Sequence, residues 1–566
     1  MASPGGPQIK HEIYHEDKVA TLDEVGENLR RSARNPWTVL KENRRALAVI
    51  LAIQSNAIIV GIEFALPGNL LGIPAFLRQF GELSPTSGQY AVEAKVLTIW
   101  AALFATFQVL GLIAGGFLAD RFGRRLTLYS VIFWTYILTV GRQGVMLEVI
   151  AKDWQTWLGS KIVIGFGTGI MQMAVTTTVS EMAPRELRGI SLSFFNMAMN
   201  IGGLAATLIP WGTNKHYGVD PTDDRAFRVP LYVALACPTI SLLLELWLLP
   251  ESPWWLMMKG HKDKARKALD YLYGCQPNYD SDRAVAELEY TIAKELEMKA
   301  LQKQTSYLDC FRGVDRRRTF CAVFPALTQN ASGQNLAGTY ATYFFQLAGQ
   351  SDPLISSVIT TAVGLAVNFI SFFVLESKRV GRWALLFGGL IVMTACMLAI
   401  GLIDVIGGGG DTYSDAAGKC LTVFVALFIA GSTIGPGVVG WAFAGEVGSP
   451  QLRAKTATLG TAGNAILGLI WTSVLPYILD ADQANLGPKA GFIFFAFGVV
   501  CCILVFFFIP DLTGRSFAEI DELFARRIPA RRFASTKTTG SYGADLSGEV
   551  VHKDASLDGD KAAHSV

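Results

Sequence analysis

The stretch Gly116–Arg125, which reads GFLADRFGRR, lies between two apolar segments of the chain. A shorter copy of its basic part, KRVGR, occurs at residues 378–382, again between two apolar segments. Glycines suit a tight turn, and arginines at such a turn can reach carboxylates on neighbouring segments. The signature recurs at the same place in each half of the chain, which predicts two related halves. The simpler alternative is that these arginines only set the orientation of the chain in the membrane.

The composition is that of a membrane protein. Of the 566 residues 51% are hydrophobic and 17% are charged, whereas about 25% are charged in ordinary soluble domains. The net charge of +2 gives no basic excess, so no nucleic-acid partner is expected. The eight cysteines show no metal-ligand spacing and are interpreted as packing residues. We find no nucleotide-binding loop or nucleophile motif, and therefore expect neither an enzyme, a cofactor nor a metal site.

Twelve apolar segments are long enough to cross a bilayer at about 20 residues each. They are 46–68, 97–118, 126–149, 158–181, 190–212, 229–249, 320–347, 354–376, 383–405, 420–445, 454–479 and 489–509. They predict an all-α integral membrane protein with twelve transmembrane helices in two six-helix halves. We divide the chain into a tail (1–45), a first half (46–249), a central helical segment (250–319), a second half (320–509), and a C-terminal motif with a disordered tail (510–566).

The polar segments set the expected orientation. The central segment has the charge pattern of amphipathic surface helices near 262–269 and 284–299, and the ends, about 1–40 and 525–566, are expected to be disordered. Basic residues collect in alternate loops: Arg121, Arg124, Arg125, Arg185, Arg188, Lys378, Arg379, Arg382, Arg453 and Lys455. The positive-inside bias then places both termini and the central segment in the cytoplasm, and we expect the plasma membrane.

A polar cluster interrupts the seventh apolar segment. Residues 329–340 read QNASGQNLAGTY, with four amides in the first seven positions. Such groups are costly in hydrocarbon unless each finds a partner, and Gly333 and Gly338 allow the helix to break. Because amides donate and accept hydrogen bonds, they suit a ligand made of hydroxyls. The alternative is that these side chains only join neighbouring helices.

Two ionisable residues stand inside other apolar segments. Glu63 lies in the first segment and Lys161 in the fourth. An ionisable residue within a membrane helix is a functional hypothesis by default. A static structural pair is the alternative.

These motifs together resemble the sugar porter branch of the major facilitator superfamily. The resemblance extends to PESPWWL at 250–256, although that family usually has arginine at the position of Trp254. It also includes PDLTGRS at 510–516, followed by EIDELF at 519–524. It covers about 45–525, is similar to fungal hexose and disaccharide transporters, and implies the major facilitator fold.

The resemblance implies roles for individual residues. The substrate-binding set would be Gln329, Asn330, Asn335, Asn196, Trp441 and Asn464, with Asn330 in place of the usual glutamine. Proton coupling would fall to Glu63 and Lys161, where the family has aspartate and arginine. Salt bridges at the loops that gate the cycle would involve Asp120, Arg121, Arg124, Arg125, Glu181, Arg188, Arg382, Glu446 and Arg453.

The resulting hypothesis is transport of a sugar by alternating access, as a proton symporter. The expected partners are a hexose, pentose or disaccharide, a proton and the lipid bilayer, with the chain as a monomer. An uncoupled sugar or polyol facilitator is the first alternative. A non-transporting sugar sensor is the second, and the C-terminal tail is short for a signalling domain.

Overall fold

The computed structural model describes residues 41–536 and residue 538, with the exception of 84–87, 89, 133–144, 185–186, 277–278, 304–305, 349, 351, 377–380, 407–414, 450, 481–482, 514 and 516. The first half comprises α1 (Arg44–Leu70), α2 (Pro74–Phe80), α3 (Ala94–Phe122), α4 (Arg124–Ile132), α5 (Val145–Ile150), α6 (Trp154–Met182), α7 (Arg188–Tyr217) and α8 (Arg225–Leu248). Between α2 and α3, β1 (Glu82–Leu83) pairs antiparallel with β2 (Tyr90–Ala91).

The central segment and the second half continue the helical pattern. The central helices are α9 (Pro253–Met258), α10 (Lys262–Tyr273) and α11 (Ser281–Lys303), followed by a 3-10 turn (Tyr307–Phe311). The second half comprises α12 (Gly313–Ala331), α13 (Gln334–Ala337), α14 (Ala341–Leu347), α15 (Pro353–Glu376), α16 (Arg382–Ile406), α17 (Asp415–Ser432), a π-helix (Thr433–Gly440), α18 (Trp441–Glu446), α19 (Arg453–Leu479), a 3-10 turn (Gly487–Lys489) and α20 (Ala490–Phe508). The C-terminal motif forms α21 (Phe517–Ala525) and a 3-10 turn (Ala530–Arg532).

Ten helices in the described part of the chain are long and apolar enough to cross a membrane, and they confirm ten of the twelve predicted segments. The third segment, 126–149, is described only as α4 and α5, because residues 133–144, which connect them, are outside the described residues. The seventh, 320–347, is broken into α12, α13 and α14. The helices predicted near 262–269 and 284–299 are present as α10 and α11.

An aromatic cluster fixes α6 in the first half. The ring of Phe76 in α2 lies 5.3 Å from the Trp157 ring of α6 and 5.8 Å from the Phe227 ring of α8, measured between ring centroids. All three side chains are fully buried. Such edge-to-face contacts stabilise the packing beyond simple area burial, and they set the position of Lys161, one turn after Trp157.

The predicted disorder from residue 525 onward is wrong for the segment that follows α21. Phe533 is fully buried, and its ring lies 5.1 Å from the Phe524 ring. Arg515 also donates from Nη2 to the carbonyl of Thr536 at 2.7 Å. Burial of an aromatic ring therefore holds residues 526–536 against the second half. The predicted tails 1–40 and 539–566 lie outside the described residues.

The two ends of the helical bundle differ in charge and in packing. We call the end where α1 begins and α3 ends the basic end, and the other the opposite end. At the opposite end, Thr342 of α14 donates from Oγ1 to Asn69 Oδ1 at 2.6 Å. Thr98 of α3 donates from Oγ1 to the carbonyl of Ser473 in α19 at 2.9 Å. These bonds join the two halves, so the bundle is closed at the opposite end.

Candidate functional site

A cavity of about 670 Å³ lies between the two halves. This is within the range of about 300–1,000 Å³ that small-molecule sites occupy. The second half contributes a mainly polar wall from α12, α13, α19 and the residues next to them: Asn330, Asn335, Thr339, Tyr340, Asn464 and Thr472. The first half contributes aromatic and charged groups from α1, α3 and α6: Glu63, Phe64, Trp100, Phe104, Trp157 and Lys161.

The helix break predicted at the glycines shapes the polar wall. Gly333 adopts φ +102°, in the left-handed region, between α12 and α13. A Cβ atom there would lie 2.7 Å from Met397 Cε and 2.9 Å from Phe494 Cγ. Because glycine alone tolerates both this backbone and this space, the chain can turn and present Asn335 to the cavity.

Two predicted amides form a pair at this wall. Asn330 of α12 donates from Nδ2 to Asn464 Oδ1 of α19 at 2.9 Å. The pair leaves Asn330 Oδ1 as an acceptor and Asn464 Nδ2 as a donor beside the cavity. Asn335, which is 8% exposed, donates from Nδ2 to the carbonyl of Gly468 at 3.1 Å. Donor and acceptor side by side suit a vicinal diol, whose hydroxyls both give and take hydrogen bonds.

Three other predicted binding residues do not line this cavity. Gln329 donates from Nε2 to Ser432 Oγ at 3.3 Å and so contributes to helix packing in this conformation. Asn196 of α7 is exposed, and its carbonyl accepts a bond from Asn200. Trp441, at the start of α18, is 37% exposed. Their assignment to the binding site stays a prediction.

The ion pair expected between Glu63 and Lys161 is not formed. Lys161 pairs with Glu148 of α5, a residue that the sequence did not single out. The Lys161 ammonium also lies 4.8 Å from the centroid of the Trp157 ring. Glu63 is 2% exposed, and neither of its carboxylate oxygens has a hydrogen-bond partner in the described part of the chain. Glu63 thus faces the cavity as a buried acid whose expected partner is engaged elsewhere.

The GFLADRFGRR loop folds into a charged cluster at the basic end. Arg124, 6% exposed, donates from Nε and Nη2 to the Glu181 carboxylate at 3.0 Å and 2.7 Å. Asp120 lies 3.2 Å from Arg124 Nη2. Ser252 donates from Oγ to Glu181 Oε2 at 2.5 Å, and the Arg124 amide donates to Glu251 Oε1 at 2.8 Å. These contacts connect α3, α4 and α6 with the start of the central segment, all on the first-half side.

The remaining predicted gating residues have other surroundings. Arg121 is exposed, with its guanidinium carbon 5.7 Å from the centroid of the Phe122 ring, whereas Arg125 donates from Nε to Tyr129 Oη at 2.9 Å. Arg188 begins α7, and its Nε is buried without a hydrogen-bond partner in the described residues.

In the second half, the backbone amide of Arg382 donates to Thr513 Oγ1 at 3.1 Å. Arg453 begins α19 and Glu446 ends α18, but the Glu446 side chain lies outside the described atoms. Sequence reasoning missed a largely buried ion pair of this half, between Arg318 and Asp521. Lys378, Arg379 and Arg185 are not among the described residues.

Comparison with known proteins gives a consistent match. The profile of a family described as "Sugar (and other) transporter" matches residues 47–524. A general alpha-glucoside permease of Saccharomyces cerevisiae is 30% identical over 507 residues, which cover 88% of this chain and 78% of the permease. A maltose permease of the same yeast is 28% identical over 541 residues, covering 94% of this chain and 83% of the permease.

The fold is also found among solved structures. The Escherichia coli xylose transporter XylE in its inward open conformation superposes with a TM-score of 0.64 at 19% sequence identity. The match covers 84% of this chain and 99% of that transporter. The likeness confirms the predicted fold, a major facilitator bundle of two six-helix halves.

Proposed function

The chain belongs to the sugar transporter family, and from that premise we propose that it moves an α-glucoside and a proton together across the membrane by alternating access. The observation that carries this proposal is a shared cavity. The amides Asn330, Asn335 and Asn464 line one wall, and the buried acid Glu63 lines the other. A sugar and a proton bound in one cavity can each favour the same closed conformation, which is the requirement for coupling.

The choice of an α-glucoside as the substrate is supported by the two yeast relatives and by the composition of the cavity walls. The amide wall offers hydrogen bonds to the hydroxyls of one ring. The facing wall offers Trp100 and Phe104, whose flat faces suit the C–H face of a sugar ring. A disaccharide would use both walls at once.

Glu63 is the proposed proton carrier. An ionised carboxylate that is buried without a cation or a hydrogen-bond donor is costly, so burial favours the neutral form of Glu63 in this conformation. Its position on the cavity wall gives the proton access to water when the cavity opens.

We also propose that the basic end faces the cytoplasm and that the membrane is the plasma membrane. The Thr342–Asn69 and Thr98–Ser473 bonds then close the outer side, so the conformation described is inward-facing. We propose that the Arg124 cluster takes part in gating on this cytoplasmic side.

The test of the proposed function is uptake of labelled sugars in cells that lack their own sugar transporters. Maltose is expected to accumulate above its external concentration, and a protonophore is expected to abolish the accumulation. A monosaccharide should be taken up more slowly because it reaches only one wall. Absence of uptake for every α-glucoside, with the protein present at the cell surface, would contradict the proposal.

An uncoupled facilitator is the second candidate. The observation in its favour is that Lys161 is already paired with Glu148, so this cation does not need Glu63 as its partner. In that case maltose would equilibrate across the membrane without accumulating, and the protonophore would have no effect.

Asn464→Ala should weaken sugar binding. The substitution removes a donor beside the cavity and the side-chain acceptor of Asn330, whose Nδ2 keeps only its bond to the Asn464 carbonyl at 3.2 Å. Leaving such polar groups unpaired costs about 1–3 kcal/mol, so KM should rise about tenfold while the maximal rate changes little. Thr461→Ala, on the same helix but with its hydroxyl bonded to Ala457 and not lining the cavity, is the matched control. An unchanged KM in Asn464→Ala would remove this amide from the binding site.

Gly68→Ala should disfavour closure of the outer side. A Cβ at Gly68 of α1 would lie 2.2 Å from the Thr339 carbonyl oxygen of the other half. Overlap of this kind costs about 1–3 kcal/mol and lowers the population of the closed conformation about tenfold. Uptake should fall accordingly. Maltose should still protect a cysteine, introduced on the outer side of the cavity, from reaction with a thiol label. At Gly203, also between the halves, the nearest atom across the interface is Thr361 Cγ2 at 3.9 Å, so Gly203→Ala should transport normally.

A further inference from the structure

The charged cluster of the first half, Glu63, Glu148 and Lys161, contains two acids and one amine. Glu148 and Lys161 form an ion pair, and they are 1% and 4% exposed. Glu63 lines the same cavity as Lys161. In a medium of low dielectric the favoured state of such a cluster is neutral. With two acids and one ammonium, neutrality requires one proton on an acid, and the acid without a partner is Glu63.

The three residues are arranged asymmetrically about the cavity. Glu63 and Lys161 line it, and Glu148 does not. The partner of the Lys161 ammonium, Glu148, therefore lies outside the cavity lining, although Lys161 itself lines the same cavity wall as Glu63. An ammonium that turned toward Glu63 would stabilise the carboxylate form of that residue.

We propose that Glu148 is a positioning residue for proton coupling: it holds Lys161 away from Glu63, so that Glu63 stays able to bind the transported proton. The inference rests on the proposed symport. The O–H bond of the Glu63 carboxyl is the bond that breaks at proton release, and the proton passes to water in the cavity.

The polar and charged groups around Glu63 and Lys161 have partners or roles that do not alter this arrangement. From α8, Cys237 faces Glu63, and Arg228 donates to the carbonyl of Val149 at 2.6 Å while pairing with Asp224 at 3.3 Å. Across the cavity, the Tyr340 hydroxyl donates to the carbonyl of Thr472 at 3.1 Å. Of the cationic groups described here, Lys161 is therefore the one placed to neutralise Glu63.

Glu148→Gln is the test. The amide no longer holds the ammonium, so Lys161 turns to Glu63 and favours its ionised form. Glu63 then binds its proton only at lower pH. The external pH of half-maximal maltose uptake, measured at saturating maltose in intact cells, should move to the acid side by about one unit or more. Glu148→Asp keeps the charge but shortens the side chain by one methylene, and should fall between the parent chain and Glu148→Gln. This second variant carries the test if the first does not reach the membrane.

A purely structural role for the Glu148–Lys161 pair predicts a different outcome. Expression or thermal stability would fall, and the pH of half-maximal uptake would stay at the parent value. That result, or a shift to the alkaline side, overturns the inference. Glu245→Gln, at another buried acid of the first half, controls for general effects of removing a carboxyl. If the parent chain shows no pH-dependent accumulation, the symport itself fails; if it accumulates maltose and Glu148→Gln leaves the profile unchanged, only the role of Glu148 fails.

Discussion

Glu63→Gln is expected to abolish the uphill accumulation of sugar and to leave sugar exchange intact. Glutamine mimics the protonated carboxyl permanently, so the sugar can still bind and the loaded cavity can still change its side. In the parent chain, one pH unit of inward gradient supports up to about tenfold accumulation at one proton per sugar. In the variant the ratio of internal to external maltose should be about one, because no proton moves with the sugar. The measurement is accumulation in sealed vesicles under an imposed pH gradient, run beside counterflow exchange on the same preparation.

Glu245→Gln is the matched control for this experiment. Glu245 of α8 is a fully buried acid of the first half, but it accepts a hydrogen bond from Asn56 and does not line the cavity. A glutamine carbonyl can accept the same bond, so accumulation should survive. If Glu63→Gln still concentrates maltose, the transported proton is carried by another residue.

Arg124→Ala is expected to stop cycling while sparing sugar binding. Arg124 and Glu181 are 8% and 10% exposed as side chains, and removal of the guanidinium leaves a nearly buried carboxylate without its cation. Breaking a buried pair by removal of one partner costs about 3–5 kcal/mol. Uptake should therefore fall at least about tenfold, whereas equilibrium maltose binding, measured by calorimetry on the purified protein, should stay within about threefold.

Arg121→Ala provides the control from the same loop, because its guanidinium is exposed and contacts only the adjacent Phe122 ring among its described partners. Arg124→Lys should be intermediate, since an ammonium cannot make the two parallel bonds that Glu181 accepts. Markedly weaker maltose binding with an unchanged maximal uptake rate in Arg124→Ala would reverse the roles assigned to this cluster and to the cavity.

The fold followed from patterns that lie close together in the chain. The lengths of the apolar segments and the position of the repeated loop predicted the helices, because membrane thickness and backbone hydrogen bonding leave few other solutions. The break after Ala331 was predictable from Gly333, where a side chain has neither the backbone freedom nor the space. The π-helix at Thr433–Gly440 was not predicted, although Gly435, Pro436 and Gly437 lie at its centre.

The partners of individual charges were less predictable, since they depend on how helices pack. Glu148 is the only acid in the predicted segment 126–149, which is a usable signal. Its pairing with Lys161 nevertheless depends on the position of α5 against α6, which periodicity does not specify. Arg318 and Asp521 are separated by 203 residues and meet only because α21 folds back onto the second half. Gln329 illustrates the converse. Its motif predicted a ligand contact, and in this conformation its amide donates to Ser432 of a neighbouring helix.

The most direct test of the central claim is the proton movement that accompanies sugar entry. Maltose is added to lightly buffered, de-energised cells that express the chain, and the external pH is recorded. Symport through the Glu63 cavity predicts immediate alkalinisation of the medium, with about one proton taken up per maltose, and no response in Glu63→Gln. Entry of labelled maltose without any change in external pH would contradict proton coupling and establish the chain as a facilitator.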